Sequence, residues 1–67
     1  MNESEKLGNN LKKIRTEKGL SQVDIARELC VSRGFVSNIE SGKRNPTLST
    51  LTRLATALGV STNELLK

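Results

Sequence analysis

Sixty-seven residues suffice for one small domain and no more, and a chain of that length buries only about 60% of the surface its unfolded form exposes. A single cysteine, Cys30, and no histidine exclude an intrachain disulfide and a Cys/His zinc cluster, and favour a reducing, intracellular setting. Eleven Lys and Arg against seven Asp and Glu leave a net charge of +4, placed mainly at the two ends of the chain around a nearly neutral middle, which points toward a polyanionic partner.

The apolar fraction is 34%, with Phe35 the only aromatic, a composition that suits helices packed on helices. No apolar run approaches the roughly 20 residues that span a bilayer, and no signal peptide is visible. A soluble, cytoplasmic protein without cofactor or membrane partner is expected.

The first periodic segment runs from about Ser4 to Lys18. Leu7, Leu11 and Ile14 recur at spacings of four and three, with Lys6, Lys13 and Glu17 opposite, so the spacing predicts an amphipathic helix. Gly19 follows as a left-handed C-cap. Ser21 to Asp24 reads as a capping-box variant opening a second helix of about two turns, with Ile25, Ala26 and Leu29 inward. After Cys30 and Val31 interrupt that pattern, Ser32 caps a third short helix, Arg33 to Ser41, with Val36 and Ile39 facing the core.

Gly42 closes the third helix, and Lys43, Arg44, Asn45 and Pro46 form a polar, basic loop. Thr47 caps a fourth helix in which Leu48, Leu51, Leu54, Ala55 and Leu58 fill the i, i+3, i+4, i+7 template. Gly59 ends it, and Ser61 to Glu64 is a capping box opening a last short helix with Leu65 and Leu66. The expected fold class is all-α: a single domain over residues 1–67, five short helices, no strand, repeat or linker.

Two short helices joined by a brief turn form a helix-turn-helix when they pack at a steep angle, here over about residues 21–41. Turning Val36 and Ile39 inward leaves Gly34, Ser37, Asn38 and Ser41 on the outer stripe of the third helix, with Arg33 and Phe35 on its borders. Small hydrogen-bonding groups beside an arginine suit a helix that enters a DNA major groove. Arg33 can take guanine bidentately, Asn38 can pair with adenine, Ser37 with several bases, and Phe35 can touch a thymine methyl or a sugar. Gly34 permits close approach. Lys43 and Arg44 would lie beside the groove wall, where they can pair with phosphates, as can Gln22 at the start of the second helix. The alternative for each is an ordinary solvated side chain.

The string Ser21-Gln-Val-Asp-Ile-Ala-Arg-Glu-Leu-Cys-Val-Ser-Arg-Gly-Phe-Val-Ser-Asn-Ile-Glu40, continued by Ser-Gly-Lys-Arg-Asn-Pro-Thr-Leu, closely resembles the phage repressor and Cro type of helix-turn-helix domain. The resemblance extends from Ile14 to Val60. It implies a compact five-helix bundle of the lambda-repressor-like type and a DNA-binding transcriptional regulator. By position it implies base-edge or phosphate contacts for Gln22, Arg33, Gly34, Ser37 and Asn38, a recognition-helix cap at Ser32, and backbone contacts from Lys43 and Arg44. Ser32 and Ser41 are further expected to contact phosphates, and Phe35 a base. The resemblance also implies a structural ion pair between Arg15 and Glu40. Two positions depart from it: Gly34, where many relatives carry a longer polar side chain, and Cys30, where they often have glycine. Cys30 is expected to be a small core or turn residue.

One domain reads only a few base pairs, so a homodimer on a roughly palindromic operator of double-stranded DNA is expected. The expected dimer surface is Leu58, Val60, Leu65 and Leu66, the competing possibility being that Leu65 and Leu66 fold onto the chain's own core. The functional alternative is a protein-binding module, an antitoxin or anti-repressor whose partner is a second protein. With no His, one Cys and no clustered carboxylates, no enzyme is expected.

Overall fold

Each apolar stripe of the sequence can leave water only against another stripe, and two-turn helices persist only when such packing holds them. The computed structural model describes residues 2–67 and contains five helices: α1 (Glu3–Glu17), α2 (Gln22–Leu29), α3 (Arg33–Glu40), α4 (Leu48–Leu58) and α5 (Thr62–Leu66). The core is one cluster: Leu7 and Leu11 of α1, Ile25, Ala26 and Leu29 of α2, Val36 and Ile39 of α3, four residues of α4, and Leu65 of α5. The α4 contribution is Leu51, Leu54, Ala55 and Leu58. α3 packs against α1 and α2, α2 also against α4, and α5 against α1 and α4.

Helix starts follow side-chain chemistry. Ser21 and Asp24 form a reciprocal capping box, Ser21 Oγ accepting from Asp24 N–H at 3.0 Å while Asp24 Oδ2 accepts from Ser21 N–H at 2.8 Å. Ser32 and Thr47 cap α3 and α4 by accepting from the Phe35 and Thr50 amides. A capping box unexpected from the sequence opens α1, between Asn2 and Glu5, so that this helix begins at Glu3. The box expected at Ser61 does not form. Its glutamate, Glu64, instead takes the Lys67 ammonium at 3.1 Å, within the last turn of the chain.

Several packing expectations change. Leu48 is 77% exposed, because as the first residue of α4 its side chain projects back past the end of the helix, beyond the neighbours that cover Leu51. Ile14 is only half-buried at the core edge. Of the two places expected for Cys30, core or turn, it takes the turn, exposed and with a left-handed backbone at φ 59°. Gly8, unremarked in the sequence, marks a close approach of α1 to α3: a Cβ there would lie 2.4 Å from the Ile39 carbonyl oxygen and 2.5 Å from that of Glu40. Only glycine lets α1 lie this near the end of α3.

The expected dimer surface is largely consumed by the fold. Leu65 is 0% and Leu58 2% exposed, both inside the chain's own core, and half-buried Val60 packs against that core. Leu58 and Leu65 therefore have no surface to offer a second copy, and only Leu66, 51% exposed, stands out. α5 reaches this position because Asn10 of α1 donates to the Leu65 and Lys67 carbonyls at 2.9 and 3.1 Å, satisfying acceptors that a helix end leaves open.

Candidate nucleic-acid interface

α3 is amphipathic in the strict sense that one face is sealed. Val36, Ile39 and Glu40 are buried, while Arg33, Gly34 and Asn38 are exposed and Ser37 is half-buried. Gly34, Ser37 and Asn38 are residues the sequence placed on the outer stripe, with Arg33 on its border. Space around Gly34 is open, the nearest atom to an added methyl carbon being Ser32 Oγ at 3.8 Å, so packing does not require glycine there.

Glu40 is buried because Arg15 neutralises it. Arg15 Nε donates to Glu40 Oε2 at 2.6 Å and Nη2 to Oε1 at 3.1 Å, a bidentate pair with each residue 8% exposed. The remaining guanidinium nitrogen, Nη1, donates to the Leu20 carbonyl at 2.8 Å, tying the α1–α2 turn to the same group.

Gln22 extends this pair outward. Its Nε2 donates to Glu40 Oε1 at 3.0 Å, which turns its own Oε1 toward Arg33, whose Nη1 donates to it at 3.4 Å. Expected as a phosphate contact, Gln22 is already engaged on both ends of its amide, with one N–H left free. The result is a continuous polar chain from buried Arg15 to exposed Arg33.

Phe35 is half-buried against the core, and the Arg44 guanidinium lies 4.7 Å from its ring centroid. The ring thus serves as a shelf that holds Arg44 beside α3 by cation–π attraction, in addition to the contact with a thymine methyl or a sugar that the sequence suggested for it. Ser32 and Ser41 are both exposed, with different hydrogen-bonding states. Ser32 Oγ accepts from Phe35 N–H and keeps its proton for another acceptor, whereas Ser41 donates its proton to the Asn38 carbonyl at 3.1 Å. Lys43 and Arg44 occupy the loop directly after α3, with Arg44 exposed and Lys43 on the exposed side of its turn.

One carboxyl on this side of the molecule titrates abnormally. The Ser21 backbone N–H and then its hydroxyl hold the Asp24 carboxyl below its ordinary value of 3.8, with Arg27 adding a smaller pull. Among the described residues no three His, Cys, Asp or Glu side chains gather as a metal site would require, and no helix is long and apolar enough to cross a membrane. What the surface offers is guanidinium, ammonium, amide and hydroxyl donors on one helix and its following loop, the groups that meet base edges and phosphates.

Comparison with known proteins agrees with this geometry. A family profile described as Helix-turn-helix (HTH_3) matches residues 11–65. The HTH-type transcriptional regulator y4dJ of Sinorhizobium fredii is 46% identical over 59 residues, spanning 88% of this chain and 77% of that protein. The crystal structure of the restriction-modification controller protein C.AhdI from Aeromonas hydrophila has a TM-score of 0.88 at 40% identity, covering 92% of this chain and 94% of that one. The controller protein C.Esp1396I, solved as a tetramer with its natural 35 base-pair operator, has a TM-score of 0.79 at 35% identity, covering 96% of this chain and 95% of its own.

Proposed function

Since the chain belongs to the helix-turn-helix family, we propose that it is a transcriptional regulator that binds double-stranded DNA sequence-specifically, as a homodimer on a roughly palindromic operator. One observation carries the reading: the outer face of α3 leaves Arg33, Gly34 and Asn38 exposed, with Arg44 stacked on Phe35 beside them, while the inner face is sealed by the core. In this reading α3 enters the major groove, where Arg33 takes a guanine edge and Asn38 an adenine edge, with Ser37 beside them. Lys43, Arg44, Ser32 and the free N–H of Gln22 hold the phosphates and set the register.

Size supports the dimer. The domain measures 28 × 21 × 21 Å, so one copy reaches one groove face, and a second copy would reach the next half-site, about 34 Å along the duplex. Of the apolar residues expected at their contact, Leu66 is exposed, beside a cleft lined by Glu3, Lys6 and Leu7. The similar protein C.Esp1396I, solved as a tetramer with its operator, supports assembly of more than one copy on DNA.

Selection of bound duplexes from a random pool tests the reading. An enriched motif of two related half-sites about one DNA turn apart is expected, with preference at one position per half-site relaxed in Arg33→Ala. No enrichment over the starting pool would remove the proposal, and an enriched single half-site would remove the dimer alone.

A further inference from the structure

The loop that bears Lys43 and Arg44 is held from the opposite end of the sequence. Ser4 Oγ, in the first turn of α1, donates to Asn45 Oδ1 across 41 residues. Gly42, at the other end of the loop, lies so close to the same turn that a Cβ would stand 2.9 Å from Glu5 Cγ and 3.2 Å from its Cα. The Glu5 carboxylate accepts from the Asn2 N–H at 3.3 Å within its own capping box. Between these two anchor points lie the two basic residues, one of them resting on Phe35.

A loop needs such anchoring to be a good phosphate clamp. Ordering a flexible, charged segment at the moment of binding costs affinity, and fixing it beforehand removes that cost. Lys43 follows a left-handed glycine at φ 80° and its backbone N–H is bonded to the Asn38 carbonyl at 2.9 Å, so its start is set by α3. Further along, Phe35 of α3 supports Arg44, and Asn45, one residue on, is held by α1.

We propose that the first turn of α1, through Ser4 and Glu5, is a positioning element for the Lys43–Arg44 loop, and that DNA-backbone affinity depends on the Ser4–Asn45 hydrogen bond although neither residue meets a base. This rests on the DNA-binding reading above. Ser4 and Asn45 act through the loop, so they change how strongly every sequence is held and not which sequence is preferred.

The test uses the full chain, the duplex recovered by selection and a random-sequence duplex of equal length, with affinities measured over a series of salt concentrations. Ser4→Ala and Asn45→Ala are each expected to weaken both duplexes by the same factor, about three- to tenfold, and to flatten the slope of log K against log salt. The double variant should bind no more weakly than either single one, and Ser4→Thr should restore binding. Unchanged melting temperatures in these variants would show that the loss comes from the loop and not from the fold. Wild-type affinity and salt slope in Ser4→Ala, or additive losses in the double variant, would overturn the clamp while leaving DNA binding intact. Failure of the wild-type chain to bind either duplex would overturn the DNA reading itself.

Discussion

Four helices of this chain end in the same backbone motif, but one of them differs from the other three in the residue that comes next. At each end a left-handed residue, Gly19, Cys30, Gly42 or Gly59, donates its N–H back into the last turn, and its successor donates to a carbonyl five positions earlier. After α1, α2 and α4 that successor is Leu20, Val31 or Val60, and each packs on the core. After α3 it is Lys43, a charged residue outside the core. An apolar residue here nails the outgoing chain to the protein, and a lysine leaves it on the surface. α3 therefore has its end secured by other means: the Arg15–Glu40 pair, the contact of its carbonyls with Gly8, and the grip of α1's first turn on the loop. The difference leaves one helix end with an exposed charge while three others are closed by the core.

The largest effect expected from breaking this arrangement is in the buried pair. Glu40→Ala should cost about 3–5 kcal/mol in urea denaturation, because Arg15 would be left buried and unpaired. Val60→Ala, at an apolar helix end, should cost only about 1 kcal/mol by the same measurement. Equal losses would mean that the two kinds of end are equivalent.

Cys30 sharpens the comparison from the other side, being the one left-handed terminator that is not glycine. Cys30→Gly should raise stability by about 1 kcal/mol, since a side chain in that backbone region is penalised and Cys30 is exposed. A loss of stability in thermal melts would show that the thiol packs favourably enough to outweigh the strain.

Giving α3 the apolar ending of its siblings should separate stability from function. Lys43→Val is expected to change stability by no more than a few tenths of a kcal/mol while lowering the salt slope of DNA binding by about one unit. An unchanged slope would take Lys43 off the phosphate backbone.

The smallest effect is at a helix start. The Asp24 carboxyl has a folded pKa below its ordinary 3.8, so its contribution is complete above that value and is lost as pH falls through the lower, folded one. Asp24→Asn should therefore reduce stability at about pH 7, and the deficit should shrink as pH is lowered below 3.8, in urea melts across that range.

Much of this organisation is readable in the sequence. The Leu and Ile spacings mark the helices, and Ser21, Ser32 and Thr47 announce three starts, because both signals are local and the bond closes within three residues. The outer stripe of α3 is equally legible, since two inward residues, Val36 and Ile39, orient the rest at about 100° per residue. Gly8 carries a faint signal, a glycine beside Leu7 inside an otherwise strong helix.

Where local patterns offer two outcomes, only the assembled molecule chooses between them. Leu65 and Leu66 are adjacent and chemically identical, and the position of α5 against α1 and α4 buries the first and exposes the second. Glu64 could serve Ser61 or Lys67 and serves Lys67. Gln22 could face solvent and instead bonds Glu40, 18 residues away.

By itself, then, the sequence determined that this chain is a set of short amphipathic helices with a small, polar outer face on α3, because hydrophobic period and capping are properties of neighbours. The tertiary structure decided which polar groups are engaged inside the protein and which remain open to a partner. Arg15, Gln22 and Arg53 all bond within the fold, Arg53 to the Leu29 carbonyl at the end of α2, while the Asn38 side chain lies exposed. A hydrogen-bond donor's partner is set by distance in space, and the atoms concerned are brought together only when the core closes.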